Sequence, residues 1–177
     1  MPIRARKNPA MQKLAYLALL VALAVTPIAC SNAKGHVPAI AAVGQLAPSF
    51  LEKTSTGATL TMASLRGKPV YLNFFATWCP PCNAEAPSIN ALQKKYAGRG
   101  LAVVGVDVQE SAKAAQGFRE KYQLVYPAVV DTGALATAYS INGLPVHVFI
   151  ARSGIVQKIV IGEMSPAAIQ GAIRSIL

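Results

Sequence analysis

The sequence is poor in the side chains that bind metals and in acidic side chains. Its 177 residues include only three cysteines and two histidines, and seven Asp and Glu residues stand against 17 Lys and Arg residues. A structural zinc site needs four ligands. The chain has a single CxxC pair and no HxxxH motif, and His36 lies in a segment without strand or helix signals. A zinc site is therefore disfavoured, and we expect no bound metal.

Positive charge is abundant but scattered. Four of the 17 basic residues lie before Leu14. The others form no run of five or more and no stripe interleaved with aromatic residues, which a nucleic-acid site would require. The charges are better explained as a solvated surface, and we expect no nucleic-acid partner.

The N-terminal part combines a basic head with an apolar segment. Residues 1–13 contain four basic side chains and no acid, and residues 14–29 (LAYLALLVALAVTPIA) carry no charge. This order is typical of a secretory signal, and the apolar stretch is shorter than the roughly 20 residues that span a membrane. We predict a signal peptide, lipoprotein signal or membrane anchor over residues 1–30. The folded part is then extracytoplasmic, in the periplasm, where disulfides persist.

Cys30 ends this segment in the sequence PIACSN. The segment resembles the lipobox of bacterial lipoproteins, in which a small residue precedes a cysteine that receives lipid. Ala29 fits that pattern, whereas Pro27 stands where leucine is usual. Lipidation of Cys30, ordinary cleavage and an uncleaved anchor are the alternatives. Residues 31–47 contain glycine and proline and lack a sustained period, so we predict a flexible linker before a domain at 48–177.

Strand and helix signals alternate from residue 48 onward. Two short strands around residues 55–57 indicate an N-terminal β-hairpin. Further strands are predicted at 70–76, 101–108, 127–130, 146–151 and 155–161, and helices at 80–97, 111–122, 134–139 and after a Ser165 cap. Strands separated by helices form a mainly parallel sheet with helices on both faces, and the last two strands add an antiparallel edge. We therefore predict an α/β domain with a mixed central sheet.

Two of the three cysteines, Cys79 and Cys82, lie in the sequence WCPPC, where a buried strand passes into a helix. A disulfide between them closes a very short loop and stabilises little. A cysteine at a helix N-terminus has a lowered pKa, and a cysteine one turn later can displace a mixed disulfide from it. Because Pro80 and Pro81 have no N–H, the N–H of Cys82 is the nearest donor to the Cys79 sulfur. We predict a redox-active pair with an accessible Cys79 sulfur that is ionised near neutrality.

The segment VYLNFFATWCPPCNAEAPSINAL resembles the thioredoxin superfamily, and within it the membrane-tethered TlpA/ResA-like reductases. The resemblance covers roughly residues 48–177 and implies a thioredoxin-like fold, with a central helix–strand insertion over 111–130. Asn73 replaces the buried aspartate of ordinary thioredoxins, as is usual in the tethered group. The resemblance implies that Glu85 shuttles protons near the cysteines, with a solvated helix glutamate as the alternative. Pro87 matches the proline that kinks the active-site helix.

The resemblance also implies which residues contact a partner chain. Pro145 in INGLPVHVF matches the cis-proline that faces the CxxC pair and holds partner chains by backbone contacts. His147 follows where the family often has threonine. This histidine either touches the dithiol face and raises the thiolate content or packs within the strand, and we favour the packed position. The expected partner-binding residues are Trp78, Pro80, Pro81, Leu144 and Pro145.

The expected function is that of an extracytoplasmic thiol–disulfide oxidoreductase. The resemblance implies that it reduces disulfides in exported clients, such as apocytochrome c or copper-site assembly proteins. It further implies that a membrane electron donor regenerates the dithiol and that the N-terminal anchor or lipid holds the protein at the membrane. We expect no cofactor besides the redox-active disulfide. Two alternatives remain open: an oxidase that installs disulfides, and a non-catalytic metallochaperone or assembly factor that holds a soft ion such as Cu(I).

Overall fold

The computed structural model describes residues 40–177. The predicted signal or anchor over residues 1–30, including Cys30, lies outside the described residues, as do His36 and the first part of the predicted linker. From residue 40 to the last residue, no helix is both long enough and apolar enough to cross a membrane.

Seven strands and four α-helices follow one another in the described range. Their ends differ from the predicted ones by about one residue. The strands are β1 (Leu51–Lys53), β2 (Thr59–Thr61), β3 (Val70–Phe75), β4 (Ala102–Val108), β5 (Ala128–Asp131), β6 (Val146–Ile150) and β7 (Val156–Ile161). The α-helices are α1 (Pro80–Tyr96), α2 (Ala112–Lys121), α3 (Ala134–Ala138) and α4 (Pro166–Ile176), and two short 3-10 helices span Met62–Leu65 and Ala97–Arg99.

Five strands form the central sheet in the order β5-β4-β3-β6-β7. Strands β5, β4 and β3 are parallel, whereas β6 is antiparallel to β3 and β7 is antiparallel to β6. Every residue of β3 is buried, as expected for a central strand covered on both faces. Strands β1 and β2 pair separately as the N-terminal hairpin. The mixed sheet, the hairpin and the helix–strand insertion of α2 and β5 confirm the predicted thioredoxin-like fold.

Alternate residues of β3 enter two different hydrophobic clusters. Tyr71 and Phe75 pack with residues of α1, α2 and α4 on one face of the sheet. Leu72 and Phe74 pack with residues of α3 and of the 3-10 helix before β3 on the other face. This two-residue period follows from the pleat of a strand. Since only four residues separate the end of β3 from the start of α1, the WCPPC segment lies at the carboxyl edge of the parallel strands.

Residues 41–47 are bonded to the domain, unlike the flexible linker predicted there. The Gly44 N–H donates to the Val156 carbonyl at 2.8 Å, and the Ala47 N–H donates to the Gly154 carbonyl at 2.9 Å. The predicted domain boundary at residue 48 is therefore too late in the chain. Short backbone pairings of this kind leave no hydrophobic period in the sequence. The sequence pattern therefore places the start of the domain later than the structure does.

Candidate active site

Cys79 is the N-cap residue of α1. Its backbone is extended, with φ −82° and ψ 110°, and its sulfur accepts a hydrogen bond from the Cys82 N–H at 3.3 Å. Pro80 and Pro81 occupy the first two helical positions, where a missing N–H costs nothing. The predicted donor to the Cys79 sulfur is therefore confirmed. The two cysteines form a disulfide, with their Cα atoms 5.3 Å apart.

Both cysteines are buried in this oxidised form. Each is 3 % exposed, and both belong to the cluster that packs against α1. The predicted accessible and ionised Cys79 sulfur concerns the reduced dithiol, so it stays a prediction. The disulfide holds this sulfur against Cys82, one turn inside the helix, and reduction removes that constraint. The neighbouring Trp78, in contrast, is 71 % exposed.

Two side chains that sequence analysis missed hold the turn before Cys79. The Glu110 carboxylate accepts the N–H and the hydroxyl of Thr77, both at 2.6 Å. The Asn83 amide donates to the carbonyls of Thr77 at 2.9 Å and Cys79 at 2.8 Å. These bonds satisfy backbone groups that belong to neither β3 nor α1. One signal was available: Glu110 follows β4, whose carboxyl end lies beside that of β3.

Glu85 lies inside the protein, one helical turn after Cys82. It is 4 % exposed, so the alternative of a solvated glutamate is wrong. One carboxyl oxygen accepts the Met164 N–H at 2.5 Å, and the other has no hydrogen-bond partner among residues 40–177. Burial raises the pKa of Glu85 to about 7, opposed by the Met164 N–H and helped by the charge of Glu163. Near neutral pH the side chain therefore exists in both protonation states.

His147 lies in β6 directly opposite Asn73 of β3. It is fully buried, and its Nε2 lies 3.1 Å from the Gly162 carbonyl. Because a carbonyl only accepts, Nε2 carries the hydrogen, and Nδ1 accepts from the Tyr71 hydroxyl at 2.7 Å. Burial lowers the pKa of His147 to about 4, although the Gly162 carbonyl opposes this. The favoured prediction of a packed strand histidine is confirmed.

Asp107 lies near the carboxyl end of β4 and is fully buried. Neither of its oxygens has a hydrogen-bond donor among the described residues. Burial, together with the nearby Glu110 carboxylate, raises the pKa of Asp107 to about 8. At Glu110 burial also raises the pKa, but the bonds from Thr77 outweigh it and lower the pKa. At neutral pH a protonated Asp107 therefore lies beside a charged Glu110.

The residues predicted to contact a partner chain come from the WCPPC segment and from the segment just before β6. The Leu144–Pro145 peptide bond is cis, as the resemblance implied. Leu144 is half-buried and packs against the cluster that contains both cysteines. Pro80 is exposed and Pro81 half-buried. Their part in partner binding stays a prediction.

Across residues 40–177, no group of three or more His, Cys, Asp or Glu side chains is placed to hold a metal ion.

A CxxC disulfide at the start of a helix, on a thioredoxin-like sheet with a cis-proline before β6, defines the class of thiol–disulfide oxidoreductases. The AhpC/TSA family model matches residues 43–159. The chain belongs to this thioredoxin-like family.

Known relatives agree with this class. The thiol-disulfide oxidoreductase ResA of Bacillus cereus is 33% identical over 135 residues, which are 76% of this chain and 78% of that protein. A thiol:disulfide interchange protein from Chlorobium tepidum is 34% identical, with a TM-score of 0.71 over 76% of this chain and 97% of that one. A secreted disulfide oxidoreductase from Mycobacterium tuberculosis is 32% identical, with a TM-score of 0.65 over 71% and 95%. The protein is a thiol–disulfide oxidoreductase of the ResA type.

Proposed function

We propose that this enzyme works in the reducing direction, outside the cytoplasm, on disulfides of exported client proteins. The observation that carries the proposed chemistry is the 3.3 Å bond from the Cys82 N–H to the Cys79 sulfur at the start of α1, which supports Cys79 as the attacking thiol. The reducing direction is proposed from the resemblance to the tethered reductases. In the reduced protein, a donor in that position and the helix N-terminus stabilise a thiolate at Cys79. A stabilised thiolate is the form that attacks a client disulfide.

The proposed reaction transfers two electrons from the dithiol to the client. The Cys79 thiolate attacks one client sulfur, a mixed disulfide forms, and the other client sulfur leaves as a thiolate that takes up a proton. The deprotonated Cys82 then attacks the Cys79 sulfur. This step closes the Cys79–Cys82 disulfide and releases the second client thiol.

Glu85 is the proposed proton acceptor for Cys82. It lies on the same face of α1 one turn later. Its carboxyl group is buried, and one of its oxygens accepts no hydrogen bond from the described part of the chain. A pKa of about 7 suits a group that must take and return a proton near neutral pH. Ordinary thioredoxins have a buried aspartate at the position of Asn73. In this chain Glu85 therefore takes the role of that aspartate.

The proposed setting is the outer face of the cytoplasmic membrane. The basic and apolar residues 1–30 support export, and the similar protein from M. tuberculosis is described as secreted. We propose that the N-terminal segment, or lipid on Cys30, tethers the enzyme near a membrane electron donor that restores the dithiol. The candidate clients are apocytochrome c and copper-site assembly proteins.

The reduction potential of the Cys79–Cys82 couple tests the redox direction. The oxidised protein is equilibrated with defined ratios of dithiothreitol or glutathione and its oxidised form, and the free thiols are counted by alkylation and mass spectrometry. We expect a potential near that of thioredoxin, about −270 mV. A potential near that of DsbA, about −120 mV, would assign the enzyme to disulfide formation instead.

A further inference from the structure

A surface groove of about 450 Å³ lies between the start of α1 and the helix α2. Thr77 and Asn83 form its end next to the active site. The groove therefore begins at the turn that carries the reactive cysteine, because the Asn83 amide donates to the Cys79 carbonyl at 2.8 Å. It is formed by different residues from those of the cis-proline segment, Leu144 and Pro145.

Two lysines on α2, and no acidic residue, line this groove. Lys113 and Lys121 are both exposed, and neither has a carboxylate partner within the part of the chain that the structure describes. Lys121 is held in place, since its Nζ lies 3.2 Å from the Asn83 Oδ1 and 4.9 Å from the centre of the Tyr122 ring. The nearby carboxylate of Glu110 already accepts two hydrogen bonds from Thr77.

A glycine in the middle of α2 keeps the groove open. Gly117 lines it, and a Cβ atom added there would meet no heavy atom within 4 Å. Glycine inside a helix costs about 0.5–1 kcal/mol relative to alanine, and no neighbour approaches closely enough to require it. The missing side chain leaves space over an apolar floor that includes Ala114 and Phe118.

We propose that this groove binds the client chain next to its cysteine, through acidic side chains that pair with Lys113 and Lys121. The inference rests on the proposed reduction of client disulfides and names the chemistry of the clients. The two lysines are eight residues apart on α2, which is about 12 Å along a helix and corresponds to about four residues of an extended chain. A client with two acidic residues about four positions apart, in the chain beside its cysteine, fits this spacing.

The test uses three peptides that differ only in the residues beside one cysteine. The flanks are aspartate, asparagine or lysine, and each cysteine carries thionitrobenzoate as a mixed disulfide. The reduced enzyme releases the coloured thiolate, and the second-order rate constant is measured at low and high salt. For two exposed ion pairs we expect the aspartate peptide to react about fivefold faster than the asparagine peptide at low salt. The ratio should approach one at high salt, because salt screens exposed charges.

Two variants and one control assign the preference to the groove. Lys113→Gln with Lys121→Gln should bring the aspartate and asparagine rate constants together. Gly117→Leu should slow the aspartate peptide by filling the groove, while the thermal midpoint stays level or rises because leucine favours a helix more than glycine does. Lys94→Gln with Lys95→Gln makes the same charge change at the other end of α1 and should keep the preference.

Two results would overturn the groove proposal: equal rate constants for the three peptides, or an acidic preference that survives both groove variants. Rapid release from the asparagine peptide supports the reductase chemistry even when no preference appears, so the two failures are distinguishable. Anisotropy of a labelled, cysteine-free aspartate peptide on the oxidised enzyme measures docking without any redox step. If the peptide binds equally well to wild type and to the Lys113→Gln, Lys121→Gln variant, that result also contradicts the groove proposal.

Discussion

The Oε2 atom of Glu85 lies 3.6 Å from the Nε2 atom of His147, and both side chains are almost completely buried. This distance is short enough for an ion pair, but the two side chains do not carry opposite charges. Burial raises the pKa of Glu85 to about 7 and lowers that of His147 to about 4. Between these values a neutral carboxyl group contacts a neutral imidazole. Above pH 7 the carboxylate lies beside an imidazole that stays uncharged.

Glu85→Gln should change how stability depends on pH. The folded-state pKa of Glu85 is raised from 4.5 to about 7. The folded protein therefore binds the proton more tightly than the unfolded chain, and stability from this group is complete below pH 4.5 and is lost as the pH rises through 7. Glutamine keeps an oxygen for the Met164 N–H and does not ionise. The unfolding free energy of the variant relative to wild type should rise by about 2–3 kcal/mol from pH 4.5 to pH 8. Urea unfolding of the oxidised proteins measures this, and a difference that is constant with pH would contradict the raised pKa.

The same variant should slow client reduction. Without the carboxylate, the Cys82 thiol loses its proposed proton acceptor, and a general base typically accelerates a step by about 10²-fold or more. Stopped-flow reduction of a peptide disulfide should show slower resolution of the mixed disulfide at pH 7, with initial attack by Cys79 little changed. Equal slowing of both steps would indicate that the substitution disturbs the helix rather than proton transfer.

Asp107→Asn should stabilise the protein at alkaline pH. Asp107 is fully buried, and its pKa is raised from 3.8 to about 8. Its contribution to stability is therefore complete below pH 3.8 and is lost as the pH rises through 8. Asparagine has nearly the same shape and stays neutral at both pH values. Relative to wild type, the unfolding free energy should gain at least about 2 kcal/mol between pH 5 and pH 9. Equal differences at the two pH values would show that Asp107 ionises normally.

The sequence predicted the elements of the fold and the reactive pair because both leave local patterns. Ile89, Leu92 and Tyr96 are spaced along one helix face, and all three are buried. The cysteines are three residues apart, as one helical turn requires. The bond between Tyr71 and His147 joins residues 76 positions apart and depends on the register of β3 and β6. The bonds between Thr77 and Glu110 depend in the same way on β3 and β4, so no local pattern predicts them.

Tyr71→Phe and His147→Val should be less than additive in their effect on stability. The Tyr71 hydroxyl and the His147 Nδ1 bond only with one another in the described range, so either change leaves a buried polar group unpaired. Each single variant should lose about 1–3 kcal/mol of unfolding free energy, and the double variant should lose about 1 kcal/mol less than the sum. Tyr139→Phe is the matched control. Its buried hydroxyl has no hydrogen-bond partner within residues 40–177, and its removal should cost almost nothing. Strict additivity of the two changes would contradict the coupling between Tyr71 and His147.

Cys82→Ser should trap clients on the enzyme. The Cys79 thiolate can still attack a disulfide, but serine cannot displace the mixed disulfide that results. The Cys82 N–H, which donates to the Cys79 sulfur at 3.3 Å, belongs to the backbone and remains in the variant, so the reactivity of Cys79 should be kept. Non-reducing electrophoresis after acid quenching should show a covalent complex that dithiothreitol releases. Cys79→Ser is the matched control and should form almost none. Equal trapping by both variants would mean that Cys82 attacks clients directly, and the order of attack derived from the helix cap would then be reversed.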